Sequence, residues 1–248
     1  MTLNDTTYLD ANKTTEPNVD KIENTENIKA QKCNKVEKIK NPKIESKKSA
    51  IRENIEAIVI AVILALFIRT FVVQAFKIPS GSMLDTLLIG DHILVNKFIY
   101  GVKLPFTDGY TLIPLKDPAR KDIVVFKYPE DPDKDFIKRV VAVGGDTVQI
   151  KDKKLYVNDE LQEDEPYAVY KDSSIIPGSF TTRDNLPLTK VPEHSLFVMG
   201  DNRDNSHDSR FWGFVDLKAV RGKAFLIYWS WDSEKFGVRW SRIGDILK

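Results

Sequence analysis

One long apolar run stands out in this otherwise polar chain, and it extends from residue 55 to residue 76. Its central part, residues 57–68, contains no charged side chain, and Arg69 and Gln74 dilute the part that follows. A membrane-spanning helix needs roughly 20 mainly apolar residues, so the run has the length of a single span. A buried helix of a soluble domain is less favoured, because no second apolar helix offers a packing partner. We therefore predict one transmembrane helix over residues 54–76.

The charges on either side of this run predict its orientation. Lysine and arginine concentrate on the cytoplasmic side of membrane spans. Only Lys77 follows the run closely, whereas seven basic residues precede it: Lys35, Lys38, Lys40, Lys43, Lys47, Lys48 and Arg52. We therefore expect a single-pass protein of the plasma or inner membrane, with a cytoplasmic N-terminus and with residues 77–248 outside the cytoplasm.

Residues 1–53 form a compositionally separate segment. They are rich in Asn, Lys, Glu and Thr, and Tyr8 is their sole aromatic residue. Such a segment cannot bury enough apolar surface to offset its conformational entropy, so we predict a disordered basic tail. The single cysteine, Cys33, lies in this tail, so the exported part can hold no disulfide bond. The net charge of +1 and the lack of a basic face give no indication of nucleic-acid binding.

Beyond the apolar run, short alternating segments ended by Gly, Pro or polar turns predict strands. The fold class we expect is mainly β, an antiparallel-sheet domain over residues 77–248. Within it, about residues 151–194 are predicted to form a smaller inserted β region. The flanking strands 147–150 and 154–157 predict a hairpin with its turn at Lys151 to Lys153. The predicted strands are residues 92–100, 122–128, 136–143, 147–150, 154–157, 195–199, 222–229 and 236–240.

Two features of this pattern predict chemistry. Ser80-Gly81-Ser82-Met83 places a pair of hydroxyl groups just after the apolar run. In the predicted strand 136–143, alternation places Lys138 between apolar neighbours on one face. If that face is buried, desolvation lowers the lysine pKa until the neutral amine can act as a general base. A lysine that protects an edge strand from aggregation explains the spacing equally well.

A polar loop at residues 200–210 is the third feature. Its density of Asp, Asn and Ser predicts a self-bonded turn, and the occurrence of Asp and Arg two residues apart suggests a partly buried ion pair. A calcium-binding loop is excluded, because Ser209 and Val215 occupy positions that require glycine and glutamate. A histidine triad is disfavoured, because His207 is adjacent to Asp208 and the two cannot easily align.

These motifs, in this order, resemble those of bacterial type I signal peptidases, which are membrane-anchored serine proteases with a Ser-Lys dyad. The resemblance covers most of residues 55–229. The matching segments are residues 76–83, 89–97, 120–126, 136–146 and 200–210. The resemblance implies Ser82 as the nucleophile and Lys138 as the general base. It also implies an oxyanion site made by the Ser80 hydroxyl and the Ser82 amide, and supporting roles for Ser206, Asp208 and Arg210.

The same resemblance implies the substrates and the pocket. Substrates would be exported precursor proteins with small residues at the first and third positions before the cut. Membrane lipid would be the other partner, and no metal or organic cofactor is implied. By family position, five residues are candidates for the walls of the substrate pocket: Phe76, Ile78, Met83, Leu87 and Phe136. One departure is Asp85, which stands where the family commonly has proline.

Two alternatives remain open from the residues. The first is a Ser-Lys protease that cleaves itself as a regulator, although residues 1–53 show no helix-turn-helix pattern. The second is an anchored β module without catalytic activity, in which Ser82 and Lys138 would be dispensable.

Overall fold

The computed structural model describes residues 47–103, 111–163 and 165–247. Contacts along the chain divide it into two units, Met1–Ala57 and Ile58–Lys248. The described part of the first unit, residues 47–57, is helical. The predicted tail lies outside the described residues up to residue 46, and helix α1 begins at Lys47, within the last seven residues of that tail.

The helical elements of the described residues are few and mostly short. They are α1 (Lys47–Phe67), a π-helical turn (Ile68–Val72), α2 (Ser209–Trp212), and 3₁₀ turns at Phe98–Tyr100, Arg203–Asn205, Leu217–Ala219 and Trp240–Arg242. None of the described helices combines the length and the apolar composition that a membrane crossing requires.

Strands make up the rest of the regular structure in residues 47–103, 111–163 and 165–247. They are β1 (Val73–Lys77), β2 (Asp91–Asn96), β3 (Val102–Lys103), β4 (Thr111–Ile113), β5 (Ile123–Tyr128), β6 (Asp131–Val143), β7 (Thr147–Lys151), β8 (Lys154–Val157), β9 (Glu160–Leu161), β10 (Leu186–Lys190), β11 (Ser195–Met199), β12 (Val215–Asp216), β13 (Val220–Asp232) and β14 (Gly237–Val238).

All pairings between these strands are antiparallel. The main sheet of the described residues has the order β1-β2-β13-β5-β6-β11-β12, with β14 paired to β13. A smaller sheet has the order β10-β7-β8-β9, and β3 pairs with β4. The prediction of a mainly antiparallel β protein with a smaller β region is therefore confirmed.

The helix predicted over residues 54–76 is wrong at its C-terminal end. The chain enters β1 at Val73, where β1 pairs with β2 in the register Phe76↔Ile93. Phe76 packs against the core cluster that contains Ile93, so burial in the sheet outweighs the apolar continuity of the run. The segment at residues 73–76 is therefore part of the main sheet.

The smaller sheet also differs from its predicted bounds. It begins at Thr147 rather than at residue 151, and its last strand, β10, lies in a segment predicted to be irregular. Val148 and Leu155 of this sheet share a core cluster with Phe197 and Met199 of β11. The cluster joins the small sheet to the main sheet directly in front of the loop at residues 200–210.

Candidate active site

A tight turn after β1 positions Ser82. The Ile78 amide donates a hydrogen bond to the Asp91 carbonyl at 2.8 Å, and the Leu87 amide donates to the Met83 carbonyl at 2.8 Å. Met83 and Leu87 are fully buried in the core. Because these two side chains fix the turn against the core, Ser82 is held in a half-buried position at the start of the turn.

Lys138 reaches Ser82 from β6. Its Nζ donates hydrogen bonds to Ser82 Oγ at 2.7 Å and to the Ile137 carbonyl at 3.1 Å. Lys138 pairs with Val124 in the sheet and is only 4% exposed. The structure therefore brings together the hydroxyl and the amine that the sequence singled out, although 56 positions separate them.

Burial decides the protonation of this lysine. Desolvation lowers the pKa of Lys138 from 10.5 to about 8, with a smaller lowering by Arg210, while Asp208 and Asp201 oppose the shift. The Phe136 ring lies 5.4 Å from Nζ and covers one side of the amine. A neutral amine is therefore available near neutral pH, within hydrogen-bonding distance of a hydroxyl.

Asp208 and Arg210 form a buried ion pair beside Lys138. Arg210 Nε donates to Asp208 Oδ1 at 2.8 Å, and the Gly200 amide donates to Asp208 Oδ2 at 3.0 Å. Burial opposes ionisation of Asp208, but the charge and hydrogen bonds of Arg210 outweigh it and hold the pKa of Asp208 below its usual range. The carboxylate is thus ionised and already paired, rather than free to bind the lysine.

A second buried ion pair, which sequence reasoning missed, lies next to the first. Arg139 Nε and Nη2 donate to the two oxygens of Asp201 at 2.9 and 2.7 Å. The Thr86 hydroxyl donates to Asp201 Oδ2 at 2.6 Å. The pair therefore connects β6, the loop at residues 200–210 and the turn that carries Ser82.

A signal for this pair exists in the sequence. The alternation that places Lys138 on one face of β6 places Arg139 between Ile137 and Val141 on the other. A guanidinium on an apolar face requires a buried carboxylate partner. Nothing in the spacing shows that the partner is Asp201, which lies 62 positions away.

Gly200 and Asn202 hold the backbone of Ser82. The Asn202 amide donates to the Ser82 carbonyl at 3.1 Å, and its side-chain Nδ2 donates to the Gly81 carbonyl at 3.0 Å. A Cβ on Gly200 would lie 2.2 Å from Ser206 Oγ and 2.4 Å from the Ser82 carbonyl oxygen. Only glycine leaves room for this approach, so the loop and the nucleophile turn meet backbone to backbone.

Ser206 is buried in the same place. Its hydroxyl lies beside Asp208 and helps to lower the pKa of that carboxyl, although its oxygen makes no hydrogen bond of regular geometry within the described residues. The expected role of Ser206 in orienting the lysine amine stays a prediction.

The predicted pocket residues fall into two groups. Phe76 and Phe136 are half-buried, and Phe136 stacks on Tyr128 with ring centroids 4.3 Å apart. Ile78, Met83 and Leu87 are at most 2% exposed and belong to one core cluster. In this conformation the apolar side chains of those three residues pack in the core and anchor the nucleophile turn. Their assignment to the pocket walls stays a prediction.

The remaining polar candidates are placed as follows. Ser80 is exposed two residues before Ser82, and Asp85 is exposed on the same turn. His207 is also exposed, and its Nε2 lies 3.1 Å from the Tyr128 hydroxyl. Its hydrogen-bonding partner is thus a tyrosine, and no contact connects it to the Ser82 hydroxyl among the described residues.

Comparison with known proteins identifies the family to which this arrangement belongs. The family model described as "Signal peptidase, peptidase S26" matches residues 51–229, a segment that contains Ser82 and Lys138. The chain belongs to the signal peptidase family, peptidase S26. The resemblance derived from the motifs is therefore confirmed, together with the prediction of a serine endopeptidase that removes signal peptides.

Individual relatives agree with this membership. The signal peptidase I of Pseudomonas aeruginosa is 40% identical over 74% of this chain and 75% of its own length. That of Aquifex aeolicus is 37% identical over 73% of this chain and 85% of its own. A solved signal peptidase I from Enterococcus faecalis is 31% identical, covers 44% of this chain and 97% of its own, and has a TM-score of 0.35.

We predict that Gly200→Ala lowers peptide hydrolysis about 100-fold or more, because the new Cβ must displace Ser206 or the Ser82 carbonyl, and misplacement of a reacting group by about 1 Å costs that much. Gly237→Ala is the matched control, since the nearest atom to a Cβ there is 3.8 Å away. Steady-state rates of both variants measure the effect. A Gly200→Ala enzyme within threefold of wild type would contradict the backbone contact described above.

Proposed function

We propose that this chain is a type I signal peptidase, a membrane-anchored serine endopeptidase that uses Ser82 as nucleophile and Lys138 as general base. The observation that carries the proposal is the 2.7 Å contact between Lys138 Nζ and Ser82 Oγ, made by an amine whose pKa burial lowers to about 8. A β module without catalytic activity would not need a buried lysine on a serine hydroxyl.

The chemistry follows from the protonation state of the lysine. When Lys138 is neutral, the Ser82 hydroxyl donates to Nζ and loses its proton as its oxygen attacks the carbonyl carbon at the cleavage site. The amine then protonates the departing nitrogen, which leaves an acyl-enzyme on Ser82. A water molecule deprotonated by the same amine attacks the ester and restores the free serine.

The oxyanion formed in each step requires hydrogen-bond donors. The amide of Ser82 and the hydroxyl of Ser80 are the donors we propose, because both lie at the start of the same turn. Preorganised donors of this kind stabilise the transition state by a few kcal/mol each, in the range of about 2.7–4 kcal/mol.

The substrate would be an exported precursor with small residues, usually alanine, at the first and third positions before the cut. Phe76 and Phe136 are the pocket walls that we propose, since both are half-buried and the Phe136 ring lies 5.4 Å from Lys138 Nζ. β1 ends the described path of the main sheet and leads directly into the Ser82 turn. An extended peptide could add to this edge by backbone pairing.

Cleavage of a purified precursor by the full-length chain in detergent, with products mapped by mass spectrometry, tests the function. We expect Ser82→Ala and Lys138→Ala to abolish cleavage, because each removes a reacting group. Ser80→Ala should lose about 10²–10³ in rate, as expected for one oxyanion donor. His207→Ala is the control and should cleave at the wild-type rate. Retained cleavage by a folded Lys138→Ala enzyme would assign the base elsewhere.

The pH dependence gives an independent test. Only neutral Lys138 accepts the serine proton, so activity rises with pH through the lysine pKa of about 8 and reaches a plateau above it. Below that pH, kcat/KM should fall about tenfold per unit. The measurement is the pH profile of kcat/KM in wild type and in His207→Ala. A midpoint that disappears in the histidine variant would contradict the lysine assignment.

We also propose that the apolar segment attaches the chain to the membrane as a single pass, with the tail in the cytoplasm and the catalytic domain outside. The apolar side chains of α1 support this, because they are about half exposed: Ile58, Ile60, Val62, Ile63, Leu64, Leu66 and Phe67. Such a surface is unfavourable in water and favourable in lipid. The proposal rests on this surface and on the preceding basic residues, and not on the length of the helix.

Extraction of isolated membranes tests the attachment. We expect the wild-type chain to stay in the membrane pellet after both high-salt and alkaline carbonate washes, since apolar contacts with lipid do not depend on salt. A deletion of residues 55–72 should move the protein to the soluble fraction. Release of the wild-type chain by carbonate would show surface attachment in place of a span.

A further inference from the structure

The irregular segment between β9 and β10 contacts the loop at residues 200–210. The Val169 amide donates to the Asp201 carbonyl at 2.7 Å, and the Arg203 amide donates to the Val169 carbonyl at 2.9 Å. Val169 and Asn202 thus form a short parallel bridge. The bridge fixes the backbone on both sides of Asn202, the residue that holds the Ser82 carbonyl.

Glu165 binds the loop through the side chain of Arg203. It receives two hydrogen bonds from Arg203, Nη1 to Oε2 at 2.7 Å and Nη2 to Oε1 at 2.8 Å. Arg203 is 1% exposed, so its charge depends on this carboxylate. A bidentate pair of this kind fixes orientation as well as distance.

Tyr167 covers the second ion pair of the site. Its ring centroid lies 3.8 Å from the Arg139 guanidinium carbon, and its hydroxyl donates to Glu165 Oε1 at 3.3 Å. Because Arg139 binds Asp201 and Asp201 binds Thr86, the tyrosine ring packs against one end of a chain of contacts that ends at the nucleophile turn.

Further contacts to the loop come from the turn between β7 and β8 and from the segment between β9 and β10. Lys153 Nζ donates to Asp204 Oδ1 at 2.8 Å, and the Asp172 amide donates to Asp204 Oδ2 at 2.7 Å. The Thr182 hydroxyl donates to the Arg210 carbonyl at 2.5 Å. The loop is therefore fixed by the inserted region near its start, its middle and its end.

We propose that the inserted region is a clamp on the catalytic loop, in which Glu165 and Tyr167 are positioning residues for the Ser82 turn. The proposal rests on the proposed function, because the clamp acts on the reaction through Asn202 and Asp201. Neither Glu165 nor Tyr167 touches Ser82 or Lys138. The clamp therefore fixes the position of the Ser82 turn and excludes water from Lys138. It leaves the peptide-binding surface unchanged.

Steady-state kinetics of Glu165→Gln in the full-length chain test the effect on the reaction. We expect kcat to fall at least tenfold with KM unchanged, because the loop no longer holds the Ser82 carbonyl. The midpoint of the pH profile should also move upward, since a loosened loop admits water to Lys138. The matched control is Glu163→Gln, an exposed glutamate two positions away, which should retain wild-type kinetics and the wild-type pH profile.

Hydrogen exchange tests the clamp without any activity. Amides in the peptide covering residues 200–210 should exchange at least tenfold faster in Glu165→Gln than in wild type or Glu163→Gln. Failure of the wild-type chain to cleave any precursor would end the proposed function, while the exchange rates would still decide the clamp. Wild-type exchange and wild-type kcat in a folded Glu165→Gln protein would overturn it.

Two variants of Tyr167 test the clamp if Glu165→Gln does not fold. Tyr167→Phe keeps the ring over Arg139 and should retain most of kcat. Tyr167→Ala removes the ring, and we expect the same fall in kcat, the same upward pH shift and the same faster exchange as in Glu165→Gln. Equal kinetics and equal exchange in the two tyrosine variants would overturn the clamp.

Discussion

A buried amine that is not paired with a carboxylate is the constraint on which this site depends. The hydrogen bonds of Lys138 Nζ go to a hydroxyl and to a carbonyl oxygen, neither of which carries a charge. In a dry environment such an amine favours its neutral form, and desolvation is the largest influence on its pKa. A nearby unpaired carboxylate would reverse this effect and leave the lysine protonated.

The two acidic residues close to Lys138 are therefore each matched by an arginine. Asp208 binds Arg210 and Asp201 binds Arg139, and all four side chains are almost fully buried. These pairs limit how far the carboxylates raise the lysine pKa while letting them accept hydrogen bonds from backbone and side chains. Lys138 and Arg139 are consecutive on β6. One strand therefore supplies both the proposed base and the arginine that neutralises Asp201.

Much of the fold and of the dyad could be predicted from local pattern. Alternation located β5, β6 and β11 to within a few residues, because each strand has a face buried in the core. The prediction failed at residues 73–76 and 186–190. There, pairing with β2 and with β7 decided the conformation, and the partner strands are distant in the chain. Ile78, Met83 and Leu87 were assigned to the pocket by family position, yet core packing buries them.

By itself the sequence determined the chemical types at the site, the order of the motifs and the β class, since these follow from residue identity and from periods of two along the chain. Only the tertiary structure decided that Asp201 neutralises Arg139, that Gly200 lies against the Ser82 carbonyl and that the inserted region holds the loop at residues 200–210. The physical reason is that burial and ion pairing depend on which distant segments meet. Neither the solvent exposure of an amine nor the partner of a charge is encoded in local spacing.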